Sequence, residues 1–210
     1  MIAFSITSIT GVCVVSQLLA AFSGPAAIFM YAITAVMAYT IAVILERLYL
    51  FSRMSTPPDN TLQLLQDSQD QAQGITQLEG HPAQAILKAG LAAHTADQAW
   101  NSMTAAATLS EEQVRKRIAA LATAGNIATM LGLLGTVYGL IFALDGLDQA
   151  SAVERTAQLS QGIAAAMITT AYGLIVGVPA LIAHRALSSK AESILRYCEA
   201  VAATLASTKA

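Results

Sequence analysis

The stretch LATAGNIATMLGLLGTVYGLIFAL, residues 121–144, contains no Asp, Glu, Lys or Arg. Its glycines and threonine recur at helical spacing. Gly132, Thr136, Gly139 and Ala143 follow one another at intervals of 4, 3 and 4, and Gly135 pairs with Gly139 as GxxxG. Residues at these intervals share one face of a helix. The charge-free run extends from 118 to 144, and two more occupy 1–45 and 156–184. Crossing about 30 Å of hydrocarbon takes roughly 20 apolar residues in a helix. Each run is long enough, so the chain reads as an all-α, polytopic membrane protein.

Composition agrees. Hydrophobic residues make up 55% of the 210 and charged residues 11%, against about 25% charged in soluble domains. The net charge of -2 offers nothing to a nucleic acid. The few cations are placed informatively: 47, 53, 88, 115, 116, 117, then 185, 190, 196 and 209, with Arg155 alone between the last two apolar runs. Lys and Arg concentrate on the cytoplasmic side of membrane proteins. This puts 46–117 and the C-terminal tail in the cytoplasm and 145–158 outside, as a short periplasmic loop.

The organisation then follows along the chain. Residues 1–24 form an N-terminal apolar segment with three open readings: an interfacial helix, an extra span or a cleaved signal. Pro25 suits the first turn of spanning helix 1, residues 25–45. Residues 46–109 form a cytoplasmic helical insert, rich in Gln and Ala, with a break at Gly80-His81-Pro82 and an amphipathic piece at 83–93. The insert is poor in large apolar residues, so it should pack on the extended ends of the membrane helices or on neighbouring subunits. Ser110-Glu111-Glu112-Gln113 matches a capping box, which opens a long helix over 110–144 containing spanning helix 2. Spanning helix 3 and its tail cover 159–210. Both helices should project beyond the bilayer. Cys13 and Cys198 read as packing residues, and no spacing suits a metal or any cofactor. His81 and His94 read as solvated side chains, and His184, beside Arg185, as an anchor at the membrane edge.

A second small-residue stripe occupies the third span: Ala166, Thr170, Gly173, Gly177 and Ala180, with Gly173 and Gly177 as a second GxxxG. Small residues let helices approach closely in lipid. The two stripes therefore predict close packing, of these helices on each other or on another chain. Thr136 and Thr170 fall within the stripes. Their hydroxyls either bond their own helix backbone or serve a polar pathway. Pro179 removes one helix hydrogen bond and crowds the carbonyl of Ile175, which favours a kink. No ionisable side chain lies deep in the second or third span, whereas proton-moving membrane proteins usually need one. If this chain serves proton movement, another chain must bring the titrating group.

The run 121–144 resembles the second spanning helix of the MotA/TolQ/ExbB proton-channel family. GIAAAMITTAYGLIVGVPALIAHRAL (162–187) resembles its third, and ILERLYLFSRMS (44–55) resembles the end of its first. The short insert is closer to the ExbB/TolQ branch than to the longer, four-span MotA proteins of flagellar stators. The resemblance implies a homopentamer in the bacterial inner membrane, around a pore that holds a single-span ExbD- or TolR-like partner. The partner's Asp carries the proton, and the motion is passed to a TonB- or TolA-like energy transducer. It also implies that Thr136 and Thr170 line the proton pathway, and the small stripes would leave room for the partner helix. Two positions depart from the family. Ala165 stands where members commonly carry Glu, and Thr129 where many carry Pro. The alternatives are a non-conducting scaffold of the same fold, altered ion use, or a MotA-like stator subunit. No nucleophile–base pair, metal cluster or phosphate loop supports an enzyme.

Overall fold

Three helices are long and apolar enough to cross a membrane, and every regular element among the described residues is helical. A computed structural model of the chain describes residues 19, 21–54, 76, 78–145 and 151–209. The readings made for residues 1–18 and 20, for most of the insert before Leu78 and for 146–150 of the loop lie outside the described residues. The helices are α1 (Ala27–Arg53), α2 (Ala83–Leu91), α3 (Ala96–Arg115), α4 (Ile118–Asp145) and α5 (Ala152–Lys209). At 1.5 Å per residue, α1 measures about 40 Å and α5 roughly 90 Å, both beyond the ~30 Å of a hydrocarbon core.

Two helix starts differ from those expected. The helix placed at 110–144 begins instead at Ala96, where Thr95 Oγ1 accepts from the Gln98 backbone N–H at 3.3 Å. Thr95-Ala96-Asp97-Gln98 has the same capping-box signature as the tetrapeptide at 110. Ser110 lies inside α3, and its hydroxyl donates back to the Ala106 carbonyl at 2.8 Å. Glu111, expected in a first turn, forms an i,i+4 ion pair with Arg115 at 2.9 Å. The third span also starts early, at Ala152. Ser151 Oγ caps it by accepting from the Glu154 N–H at 3.2 Å, and the hydroxyl donates to the Glu154 carboxylate at 2.7 Å.

The expected continuity of 110–144 is also broken, at Lys116-Arg117, where Arg117 has φ 60°. Neither Gly nor Pro marks the spot. The break is held by tertiary contacts: Arg47 donates to the Gln113 carbonyl at 3.2 Å, and Glu46 pairs with both Arg47 and Arg117. Gln113 is in the last turn of α3, whose carbonyls lack helical partners, so Arg47 caps that helix end from another element.

The chain divides into two compact units, residues 1–42 with 120–182, and 43–119 with 183–210. In the first, Ile33 of α1, Ala128 of α4 and Val176 of α5 form a buried centre, packed about by Val36, Met37, Leu131 and Tyr172. Phe22 stacks edge-on against Tyr31 and Tyr172, and Phe29 lies against Tyr138. Much of the remaining α4 and α5 surface is large and apolar, including Met130, Leu134, Ile141, Met167 and Ile182, all exposed. Such a surface suits lipid rather than water.

The second unit has an ordinary side-chain core. Leu78, Ile86, Leu87, Val114 and Val201 are fully buried. The amphipathic piece at 83–93 is α2, with Ala83, Ile86, Leu87 and Gly90 on its buried face. Gly90 permits close contact: a Cβ there would lie 2.7 Å from Met103 Sδ of α3 and 3.6 Å from Leu205 of α5. The insert thus packs on the tail of α5. His81 departs from the expected solvated state. It is buried, its Nδ1 accepts from the Ala83 N–H at 3.1 Å, and its ring stands against Tyr197. The turn at Gly80, with φ +82°, folds it inward. His94 is exposed. His184 lies beside the Ile118 carbonyl at 3.0 Å; since a carbonyl only accepts, Nδ1 carries the proton.

Candidate functional site in the apolar unit

The two small-residue stripes meet each other. A Cβ on Gly139 would lie 2.8 Å from Ala166 N and 2.9 Å from Gly162 O, and one on Gly173 would lie 2.7 Å from Ala128 O. On Gly132 it would lie 3.1 Å from Thr169 O and 3.2 Å from Gly173 Cα. These neighbours are backbone atoms, which cannot swing aside. Glycine on both helices therefore brings α4 and α5 into antiparallel backbone contact, from Gly125/Gly177 through Gly132/Gly173 to Gly139/Gly162. This corrects one expectation: the stripes leave no room for a partner helix, because the chain fills them itself.

Two threonines lock the contact; the sequence marked Thr129 only as a departure from the family, and Thr169 not at all. Thr169 is fully buried and sits opposite Gly135, where a Cβ would come within 2.6 Å of its Oγ1. Thr129 sits opposite Gly177, where the same atom would come within 2.5 Å. Each hydroxyl donates inside its own helix, Thr169 to Ala165 or Ala166 at 3.0 Å and Thr129 to Gly125 at 3.1 Å. The spacing assigned the stripe to Thr170, but its centre is Thr169. One residue is about 100° of helix rotation, which turns Thr170 toward the edge of the contact. The adjacent Thr-Thr pair was the available signal, and spacing alone did not choose between its members.

Thr136 and Thr170 are brought together at that edge, both half-buried. Their hydroxyl oxygens are 3.3 Å apart. Thr170 donates to the Gly132 carbonyl across the interface at 3.2 Å. Thr136 lies within reach of the Leu133 and Gly132 carbonyls of its own helix. Each hydroxyl has one proton and several acceptors. In any one arrangement one threonine donates to a carbonyl, and the other can donate to it. Rotating both hydroxyls reverses the order without moving a heavy atom. Thr136 thus bonds the backbone of its own helix, whereas Thr170 bonds a carbonyl of the facing helix.

A second hydroxyl contact ties α1 to α5. Thr34 Oγ1 lies 3.0 Å from Tyr172 Oη and donates to the Met30 carbonyl at 2.8 Å. Ala165 is buried beside a groove of about 410 Å³, lined also by Gln161, Ala164, Met167, Ile168 and, from the start of the first unit, Gly24 and Pro25. Gln161 is one turn away from Ala165, and among the described residues no carboxylate lines the groove. Pro179 lies within an uninterrupted α5 on its exposed side, as does Ile175. Asn126 is exposed on α4. Among the described residues no group of three His, Cys, Asp or Glu could hold a metal ion.

A glycine-packed antiparallel pair of long apolar helices, with a hydroxyl pair at its edge, defines a polytopic helical membrane protein. The chain belongs to the MotA/TolQ/ExbB proton channel family, whose model matches residues 79–200, and its relatives are of the ExbB/TolQ-like branch. It is 37% identical over 98 residues to the Tol-Pal system protein TolQ of Pseudomonas aeruginosa, covering 46% of this chain and 42% of that one. It is 34% identical over 111 residues to the biopolymer transport protein exbB1 of Vibrio cholerae, covering 52% and 49%. The biopolymer transport protein ExbB of Aquifex aeolicus is 34% identical over 91 residues, 43% of this chain and 61% of that one. The chain thus spans about half the length of these relatives.

Proposed function

We propose that this chain is the multi-span inner-membrane subunit of an ion-driven motor, in which copies surround a single-span ExbD- or TolR-like partner. The observation that supports the reading is the Thr136–Thr170 hydroxyl pair, half-buried at the edge of a helix contact whose charge-free runs, 118–144 and 156–184, hold no Asp, Glu, Lys or Arg. Such a pair can hand a proton along by reorienting, but it cannot store one near neutral pH. A carboxylate on the partner helix supplies that store. Because α4 and α5 consume their small stripes on each other, the space for the partner lies between copies, five of them by the family's pattern. Proton entry titrates the partner's Asp and drives a rearrangement that a TonB- or TolA-like protein transmits. Residues 46–117 and the tail are cytoplasmic, residues 145–158 form the periplasmic loop, and Pro179 bends α5 near the cytoplasmic end of its membrane span.

A second reading, a non-conducting scaffold, is favoured by Ala165, since the groove beside it lacks a carboxylate. Co-expression with the single-span partner separates the two. The motor requires that energised activity vanish when the partner's intramembrane Asp becomes Asn. Activity indifferent to that change leaves the scaffold.

A further inference from the structure

The second unit contains one buried imidazole that the transport reading does not use, and its surroundings make it responsive to protons. His81 precedes α2 by two residues, and its ring nitrogen Nδ1 accepts from the Ala83 N–H at 3.1 Å. Its carbonyl accepts from the Gln84 N–H at 3.0 Å, and its own N–H donates to Leu78 at 2.9 Å. The first N–H groups of a helix have no helical acceptor, so His81 satisfies two of those of α2. The residue counted as the N-cap, Pro82, makes no side-chain cap. An imidazole accepts at a given nitrogen only while that nitrogen is unprotonated. We propose that His81 is a proton-operated latch: neutral, it caps α2 and holds it against α3 and α5; protonated, it releases the helix.

Two effects act together on protonation. Nδ1 gains a hydrogen that faces the Ala83 N–H, so an acceptor becomes a second donor and the cap is lost. The new positive charge also stands at the positive end of the α2 dipole. Among the described residues, the groups around the ring do not compensate. Tyr197 of α5 presents its ring at 5.3 Å. From the end of α1, the Arg53 carbonyl lies near Gly80, while the Arg53 side chain is exposed, as is the neighbouring Glu79. Burial lowers the His81 pKa from its ordinary 6.5. The imidazole is therefore neutral at neutral pH and charges only on the acid side of that value. The capped state is complete above 6.5 and is lost as the pH falls toward the lowered value.

What the latch releases is specific. α2 lies on Met103 and Leu205 through Gly90, so its departure opens the contact between insert and tail. The use of such a device rests on the transport reading, which puts this unit where imported protons arrive. There it would loosen the insert as protons accumulate.

The test uses the full chain in detergent micelles and reads amide hydrogen exchange, corrected for chemical exchange, at about pH 7.5 and about pH 5. Protection of residues 83–91 should fall about tenfold between the two, while that of α4 is unchanged. His81→Asn keeps an acceptor oxygen near the Nδ1 position and cannot titrate. It should hold α2 protected at both pH values. Unchanged protection in the wild-type chain overturns the latch, as does an equal fall in α4 or the same pH dependence in H81N. No transport is measured, so failure of the transport reading leaves this result intact.

Discussion

The two units hold their helices by opposite means. In the first, α4 and α5 meet backbone to backbone over glycines, and the side chains that seal the contact are small. In the second, large side chains such as Leu78, Ile86 and Leu87 fill a core, and a buried arginine caps a helix end. The difference follows from the surrounding solvent. Hydrocarbon gives helices no hydrophobic reason to associate, so close approach and dispersion must supply it. Water rewards the burial of Leu and Ile directly.

The largest effect should come from filling a glycine notch. Gly173→Val places a Cβ 2.7 Å from the Ala128 carbonyl. It should destabilise the first unit by about 3 kcal/mol, read by thermal unfolding in detergent. A result near zero would mean that backbone contact is not what holds α4 to α5. Next is Arg47→Ala, which leaves the Gln113 carbonyl without the partner that caps α3. The expected loss is about 2 kcal/mol, with the damage confined to the second unit in hydrogen exchange. Spread of the loss into α4 would erase the distinction drawn between the two.

Acid should sharpen the contrast further. Because His81 is neutral and its pKa is lowered by burial, the unfolded chain binds the proton more readily. Stability of the second unit should therefore decline as the pH falls below 6.5 and level off below the lowered value. The first unit, with no such group in its α4 and α5 spans, should not follow. The smallest stability change belongs to the threonine pair. Thr136→Val with Thr170→Val should shift unfolding by only about 0.6 kcal/mol per lost bond. Energised function in the assembled complex should nonetheless be abolished, with assembly intact. Normal function in the double variant removes both residues from the proton pathway.

Several of these features were legible in the chain alone. The spans follow from charge-free runs, and the two stripes marked α4 and α5 for close packing, on each other or on another chain. Other features were not. Ser110 and Thr95 head equally good capping signatures, and local spacing could not choose between them. Arg117 turns the chain with no Gly or Pro to announce it, because the cause is Glu46 and Arg47, some 70 residues earlier. His81 read as solvated because its neighbours in sequence are polar, while the ring that covers it belongs to Tyr197.

The order of charges and small residues was sufficient to determine that this protein crosses a membrane by helices, that two of them carry faces suited to close approach, and to which family it belongs. Those properties depend on local composition and period. Only the tertiary structure decided that the stripes close on each other, that Thr169 rather than Thr170 lies at their centre, that Arg47 caps a helix it does not belong to, and that His81 is buried against Tyr197. Each of these depends on helix rotation or on a partner distant in sequence, and a periodic pattern encodes neither.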